Sequence, residues 1–185
     1  MHIETENLNK RFGGVVALED VSLEFPSASV TAIIGPNGAG KSTLFNVIAG
    51  FLQPDSGAVL MIEDNPAASE SAKTDLLGLA PHEVARKGIG VLFQDVRVFS
   101  KLTALENVAV GVKYQCGEKQ ASCLFSPGRV RQQEEKVLDR ARQLLEYVGL
   151  SEKANLLAGQ LSYGQQKLVA IARLLAGDAR VLLLD

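Results

Sequence analysis

The sequence has no surplus of charge of either sign, since 19 basic residues stand against 21 acidic ones for a formal net charge of −2. A chain so balanced generates no long-range field that gathers nucleic acid or an anionic membrane surface, so nucleic acid is not an expected partner. Long apolar runs are missing too. No stretch approaches the about 18 uninterrupted apolar residues of a spanning helix, and the opening MHIETENLNK has no apolar core of a signal peptide. The expectation is a cytosolic chain unless a partner holds it at a membrane. Cysteine is nearly absent. Cys116 and Cys123, separated by six residues and without a nearby histidine, do not fit the C-x₂₋₄-C spacing of common zinc sites and read as free thiols.

Apolar material is plentiful: 46% of the 185 residues are hydrophobic, enough for the core of one domain with room for a lobe. Residues 3–25 alternate loosely, with Val16, Leu18, Val21, Leu23 and Phe25 following Gly13 and Gly14, which predicts short antiparallel strands. Residues 30–34 form a compact β-rich run ending in glycine, and residues 41–49 place apolar side chains at 44, 45, 48 and 49 as a helix does, with Gly50 as its stop. Residues 54–57 read as a turn, 58–62 as a strand and 63–80 as a surface excursion. A short strand at 90–93 leads through a loop to a helix from Thr103, where Glu106 three residues on resembles a capping box. Residues 111–127 show no periodicity. From 129 to 148 an apolar stripe of Val130, Val137, Leu138, Ala141, Leu144, Leu145 and Val148 predicts a helix stopped by Gly149, its mixed charges forming a solvated face. Another helix spans 161–176, opened by Ser162, and Val181–Leu184 is a fully apolar strand of the kind found inside a parallel sheet.

The strongest local signal is Gly35-Pro36-Asn37-Gly38-Ala39-Gly40-Lys41-Ser42, which fits G-x-x-x-x-G-K-[ST] between a predicted strand and a predicted helix. Glycines let the backbone curl so that successive N–H groups point inward, and the helix that begins here turns its positive end toward the phosphates. Lys41 supplies a mobile cation for the β- and γ-phosphates, and the Ser42 hydroxyl is suited to ligate the Mg²⁺ that bridges them. A phosphate loop alone selects no reaction, because many unrelated activities share it.

Later residues narrow the choice. Leu161-Ser162-Tyr163-Gly164-Gln165-Gln166, just before a helix, resembles the signature motif of ABC ATPases. Ser162 can cap that helix, Gly164 permits close backbone approach, and the helix end offers a second anion site. Tyr163 departs from the glycine commoner at its position. Gln94, after Val91-Leu92-Phe93, resembles the Q-loop glutamine, Phe12 the aromatic that stacks on adenine with Val16 as a weaker base contact, and Asp185 the Walker B aspartate at a strand end. Each has a plainer reading when taken alone: a core phenylalanine, a surface glutamine, an ordinary helix cap, an aspartate capping a turn. Their order along nearly the whole chain is that of the family.

The resemblance implies an α/β fold, a P-loop NTPase parallel-sheet core with an antiparallel β subdomain and a helical signature subdomain at roughly residues 95–175, the whole of 1–185 being one ABC ATPase domain. It implies ATP and Mg²⁺ as cofactors, with Gly35 through Thr43, Phe12 and Val16 on the nucleotide, Ser42, Gln94 and Asp185 on the metal, and Lys41, Gln94 and Asp185 serving catalysis. Leu161 to Gln166 would grip ATP held by a second ATP-binding subunit, and transmembrane permease subunits would complete the assembly at the cytoplasmic face of the inner membrane. Residues 94–99, 102–107 and 161–166 look most like the ATPases of branched-chain amino-acid uptake systems. Alternatives are a non-transport ABC ATPase and a non-catalytic nucleotide-binding remnant. The family's catalytic glutamate, D-loop and switch histidine follow Walker B; the chain ends at Asp185, and His2 and His82 precede it. The carboxyl-terminal part of the fold is therefore expected to be missing, and an isolated chain of this length is expected to aggregate or fold in part and not to hydrolyse ATP alone.

Overall fold

The alternation near the amino terminus becomes two long strands, β1 (His2–Phe12) and β2 (Val15–Phe25), turned at Gly13 and Gly14. They belong to a computed structural model that describes residues 1–63, 72–113 and 127–185. Cys116, Cys123 and most of the aperiodic stretch 111–127 lie outside the described residues, as does part of the excursion 63–80. Two units are present, one of Met1–Ile89 with Asp185 and one of Gly90–Leu184.

In the first unit, β3 (Ser56–Glu63) and β4 (Ala72–Asp75) complete an antiparallel sheet of order β2-β1-β3-β4. Period-two alternation sends Ile3, Thr5, Val59 and Met61 to a buried face. The β1–β2 register shifts between Thr5 and Leu8, where Asn7 takes a positive φ and its amide donates to Asp20 at 2.6 Å. Helix α1 (Lys41–Ile48) buries Leu44, Val47 and Ile48, as the apolar spacing requires. A short helix α2 (Pro81–Arg86), which no periodicity announced, starts with proline at its first position and Glu83 accepting the Ala80 N–H.

The expected strand at 30–34 does not form. These residues have no regular secondary structure, and Val30 and Ile34 are 100% and 93% exposed. A β-rich run becomes a strand only through a ladder with a neighbour, and none of the described strands pairs with it. The apolar content was read correctly; its partner is what the structure does not supply.

In the second unit, β5 (Ile89–Leu92, whose first residue counts with the first unit) pairs with β6 (Val181–Leu184). Between them in sequence come α3 (Ala104–Ala109), α4 (Pro127–Tyr147) and α5 (Tyr163–Ala176). Their core joins Ala104, Val108, Ala141, Leu144, Leu145, Leu150, Leu161, Val169, Ala172 and Ala176. The four alanines let helix backbones approach closely while the leucines fill the remaining volume. Thr103 and Glu106 form the capping box of α3, and Ser162 and Gln165 that of α5. No helix among the described residues is long and apolar enough to cross a membrane.

Candidate functional site

The phosphate-loop motif is curled: the Ala39 N–H donates to Pro36 O at 3.2 Å, and Gly38 and Gly40 adopt φ of 85° and 87°. Gly40 is also the cap of α1 and has no side chain to occupy the free N–H groups of its first turn, which leaves them for an anion. A Cβ on Gly40 would stand 2.2 Å from Ala17 O, so glycine is what lets α1 start against β2, beside Val16. The Lys41 ammonium folds back and donates to Gly35 O and Pro36 O, both at 2.8 Å. One of its three N–H donors remains beyond those two.

The Ser42 hydroxyl, one residue further on, donates to Asp185 Oδ1 at 3.2 Å. Two hard oxygen donors are thus side by side next to the loop. Neighbouring oxygens of an Mg²⁺ octahedron with bonds of 2.0–2.1 Å lie about 2.9 Å apart. The pair therefore fits two adjacent positions of that ion with a shift of a few tenths of an ångström. Asn37 and Ala39 line the exposed loop, and Thr43 lies in the first turn of α1.

Phe12 and Val16 sit at the turn end of the β1–β2 hairpin, where Phe12 pairs with Val15 and Arg11 with Val16. Phe12 is 49% exposed, which rules out the core-phenylalanine reading and leaves a ring with an open face. Sequence reasoning passed over Asp55. Its carboxylate accepts from Lys10 Nζ at 2.9 Å and from the Arg11 N–H at 2.7 Å, and the Lys10 bond, then that from Arg11, holds its pKa below the usual value. So anchored, the Lys10 ammonium lies 5.6 Å from the Phe12 ring centroid. Nothing in the spacing of residues 10 and 55 signals this contact.

The signature residues and Gln94 belong to the second unit. Ser162 Oγ accepts from the Gln165 N–H at 3.4 Å, and Gln165 Oε1 accepts from the Ser162 N–H at 3.0 Å. Gln166 Nε2 donates to Ala158 O and Leu161 O, each at 3.1 Å, so both glutamine side chains are committed to shaping the helix entrance. Leu161 is a core residue, while a Cβ on Gly164 would meet nothing within 4 Å, leaving the backbone there approachable. The Tyr163 hydroxyl donates to Gln94 O at 2.7 Å. Of the three residues expected at a metal, the first unit thus joins Ser42 to Asp185, and Gln94 is held within the second.

A phosphate loop with an oxygen-donor pair, and a serine-capped helix entrance in a helical unit, define an ATP-binding cassette. The chain matches the family described as ABC transporter over residues 18–185 and belongs to it. It is 38% identical over 183 residues to the high-affinity branched-chain amino acid transport ATP-binding protein BraF of Pseudomonas aeruginosa, covering 99% of this chain and 68% of that protein. It is 37% identical over 185 residues to the sulfate/thiosulfate import ATP-binding protein CysA 1 of Chromobacterium violaceum, covering 100% of this chain and 45% of that protein. Among solved structures, a nucleotide-free ATP-binding cassette from an ABC transporter superposes with a TM-score of 0.75 at 38% identity, covering 100% of this chain and 69% of that one. A dimeric bacterial ABC transporter cassette gives 0.73 at 31% identity, covering 99% and 73%. The α/β P-loop ATPase fold read from the sequence is therefore the fold of this chain.

Proposed function

We propose that this chain binds Mg-ATP as the energy-coupling subunit of an importer of amino acids, with branched-chain amino acids as the cargo class. The relatives named for branched-chain amino acid transport support that class, and sulfate import by another relative marks how far cargo varies around similar cassettes. Permease subunits in a membrane are the partners, and the chain works on their cytoplasmic side beside a second ATP-binding subunit. The single observation that carries the reading is the Ser42–Asp185 pair at 3.2 Å, next to a lysine-bearing phosphate loop.

The chemistry divides among the chain's own groups. The free N–H groups at the start of α1 and the Lys41 ammonium receive the phosphates, Lys41 leaving Gly35 O and Pro36 O as it does so. Ser42 and Asp185 would hold Mg²⁺, which when bound neutralises charge on the phosphate oxygens. Phe12 offers the base a flat face. Gln94 is assigned to the metal, and residues 161–166 to the ATP of the second subunit, on the family pattern, within a helical region at about 95–175. ATP draws two subunits together because it contacts both only when they are closed.

The test is titration of the chain with a fluorescent ATP analogue, with and without Mg²⁺. Lys41→Ala is expected to weaken binding at least tenfold in both conditions. Asp185→Asn should remove most of the Mg²⁺-dependent gain and leave Mg²⁺-free binding intact. Folded wild-type chain without affinity for Mg-ATP, or an Asp185→Asn variant with full metal dependence, would refute the assignment.

A further inference from the structure

Between the end of β5 at Leu92 and Ser100 the backbone runs without regular secondary structure, yet three of its carbonyls are held by side chains of the neighbouring helices. Asn107 of α3, fully buried, donates to Phe99 O at 3.0 Å and accepts from the Phe99 N–H at 2.8 Å. Arg173 of α5 donates to Arg97 O, and its guanidinium lies 5.4 Å from the Phe99 ring centroid. Burial lowers the pKa of Arg173, while Phe99, over which its guanidinium lies, is 52% exposed. The third carbonyl, Gln94 O, accepts from the Tyr163 hydroxyl at 2.7 Å, and Tyr163 is 56% exposed. The segment is thus fastened at 94, at 97 and at 99.

We propose that Tyr163 is the positioning residue for Gln94: its phenol fixes the backbone of the residue assigned to the metal, and does so from the signature turn itself. Tyr163 is the first residue of α5, directly after the Ser162 cap and before the open Gly164. A hydrogen bond to the carbonyl of residue 94 constrains the peptide plane that follows it, and through that plane the direction in which the Gln94 side chain leaves the backbone. The ring is itself held, with Lys167 Nζ one turn along α5 at 5.1 Å from its centroid. Movement of the signature turn therefore carries the Gln94 backbone with it. Phenylalanine at 163 would keep the ring and the lysine contact and lose only the hydroxyl, which makes it a clean probe. The proposal rests on the reading of Gln94 as a metal-directed residue.

The experiment has two arms on the whole chain. In the first, without nucleotide, amide hydrogen exchange is compared between wild type and Tyr163→Phe. The amides of 94–96 are expected to exchange between about two- and twelvefold faster, the loss of one net hydrogen bond, with the amides of α5 unchanged. In the second, the Mg²⁺ concentration for half-maximal binding of a fluorescent ATP analogue should rise by a similar factor in Tyr163→Phe. A Gln94→Ala, Tyr163→Phe double variant should lose no more than Gln94→Ala alone. Unchanged exchange at 94–96, an unmoved Mg²⁺ midpoint, or additive losses in the double variant overturns the proposal. Absence of analogue binding by the wild type is a separate failure, that of the nucleotide reading, and it takes with it the purpose for which Gln94 would be positioned; the exchange arm tells the two apart.

Discussion

Replacing Gly40 by alanine should damage the phosphate loop far more than the same change at Gly38, although the two glycines share nearly the same backbone conformation. With φ of 85° and 87°, each alanine incurs the left-handed strain of an L residue, about 1–2 kcal/mol. At Gly38 the added methyl meets nothing within 4 Å, so strain is the whole cost. At Gly40 it would lie 2.2 Å from Ala17 O and 3.2 Å from Leu18 Cδ2. Ala17 sits in β2 between Val16 and Leu18, both registered against β1, so its carbonyl cannot retreat the roughly one ångström required without loosening that pairing. The start of α1 must move instead, and the loop with it. A total of about 3–5 kcal/mol is expected for Gly40→Ala. Urea unfolding midpoints at a shared slope, with nucleotide titration of the folded fraction, make the comparison. If the two variants fall within about 1 kcal/mol of each other, the close approach of α1 to β2 is not what demands glycine here.

Asn107→Leu should destabilise the helical unit by about 1–3 kcal/mol, because it removes the fully buried carboxamide that now accepts from the Phe99 N–H and donates to Phe99 O; a loss under about 0.5 kcal/mol in the same unfolding assay would contradict the pinning of Phe99. Glu106 carries a pKa below its ordinary 4.5, chiefly through the Thr103 backbone N–H and then the Thr103 hydroxyl. Its contribution is complete above the unfolded value and is lost as pH falls through the lower folded value. In Thr103→Ala the carboxyl titration followed by NMR should move back toward the ordinary glutamate range, and an unmoved titration would show that the hydroxyl plays no part.

Much of the local structure was legible because its causes are local. Helix α1 is read from the apolar residues at 44, 45, 48 and 49, α3 from Thr103 with Glu106 three residues on, and α5 from Ser162 as its cap. The run 30–34 shows where this logic stops: composition marks residues willing to enter a sheet, but ladder bonds need a neighbour that composition does not name. Helix α2 escaped notice for the opposite reason, since a single turn and a half has too few positions to show a period.

By itself the sequence determined the phosphate loop, the caps and the family, because each is a fixed spacing of residue types whose chemistry acts within a few positions. Tertiary structure alone decided which distant groups meet: Ser42 with Asp185 across 143 positions, Tyr163 with Gln94 across 69, and Lys10 with Asp55 across 45. Periodicity reports which face of an element is apolar and is silent on what a polar tip will find. Those encounters are settled when burial of the apolar faces brings the elements together, and the hydroxyls, carboxylates and carbonyls left at the joins take the partners then within reach.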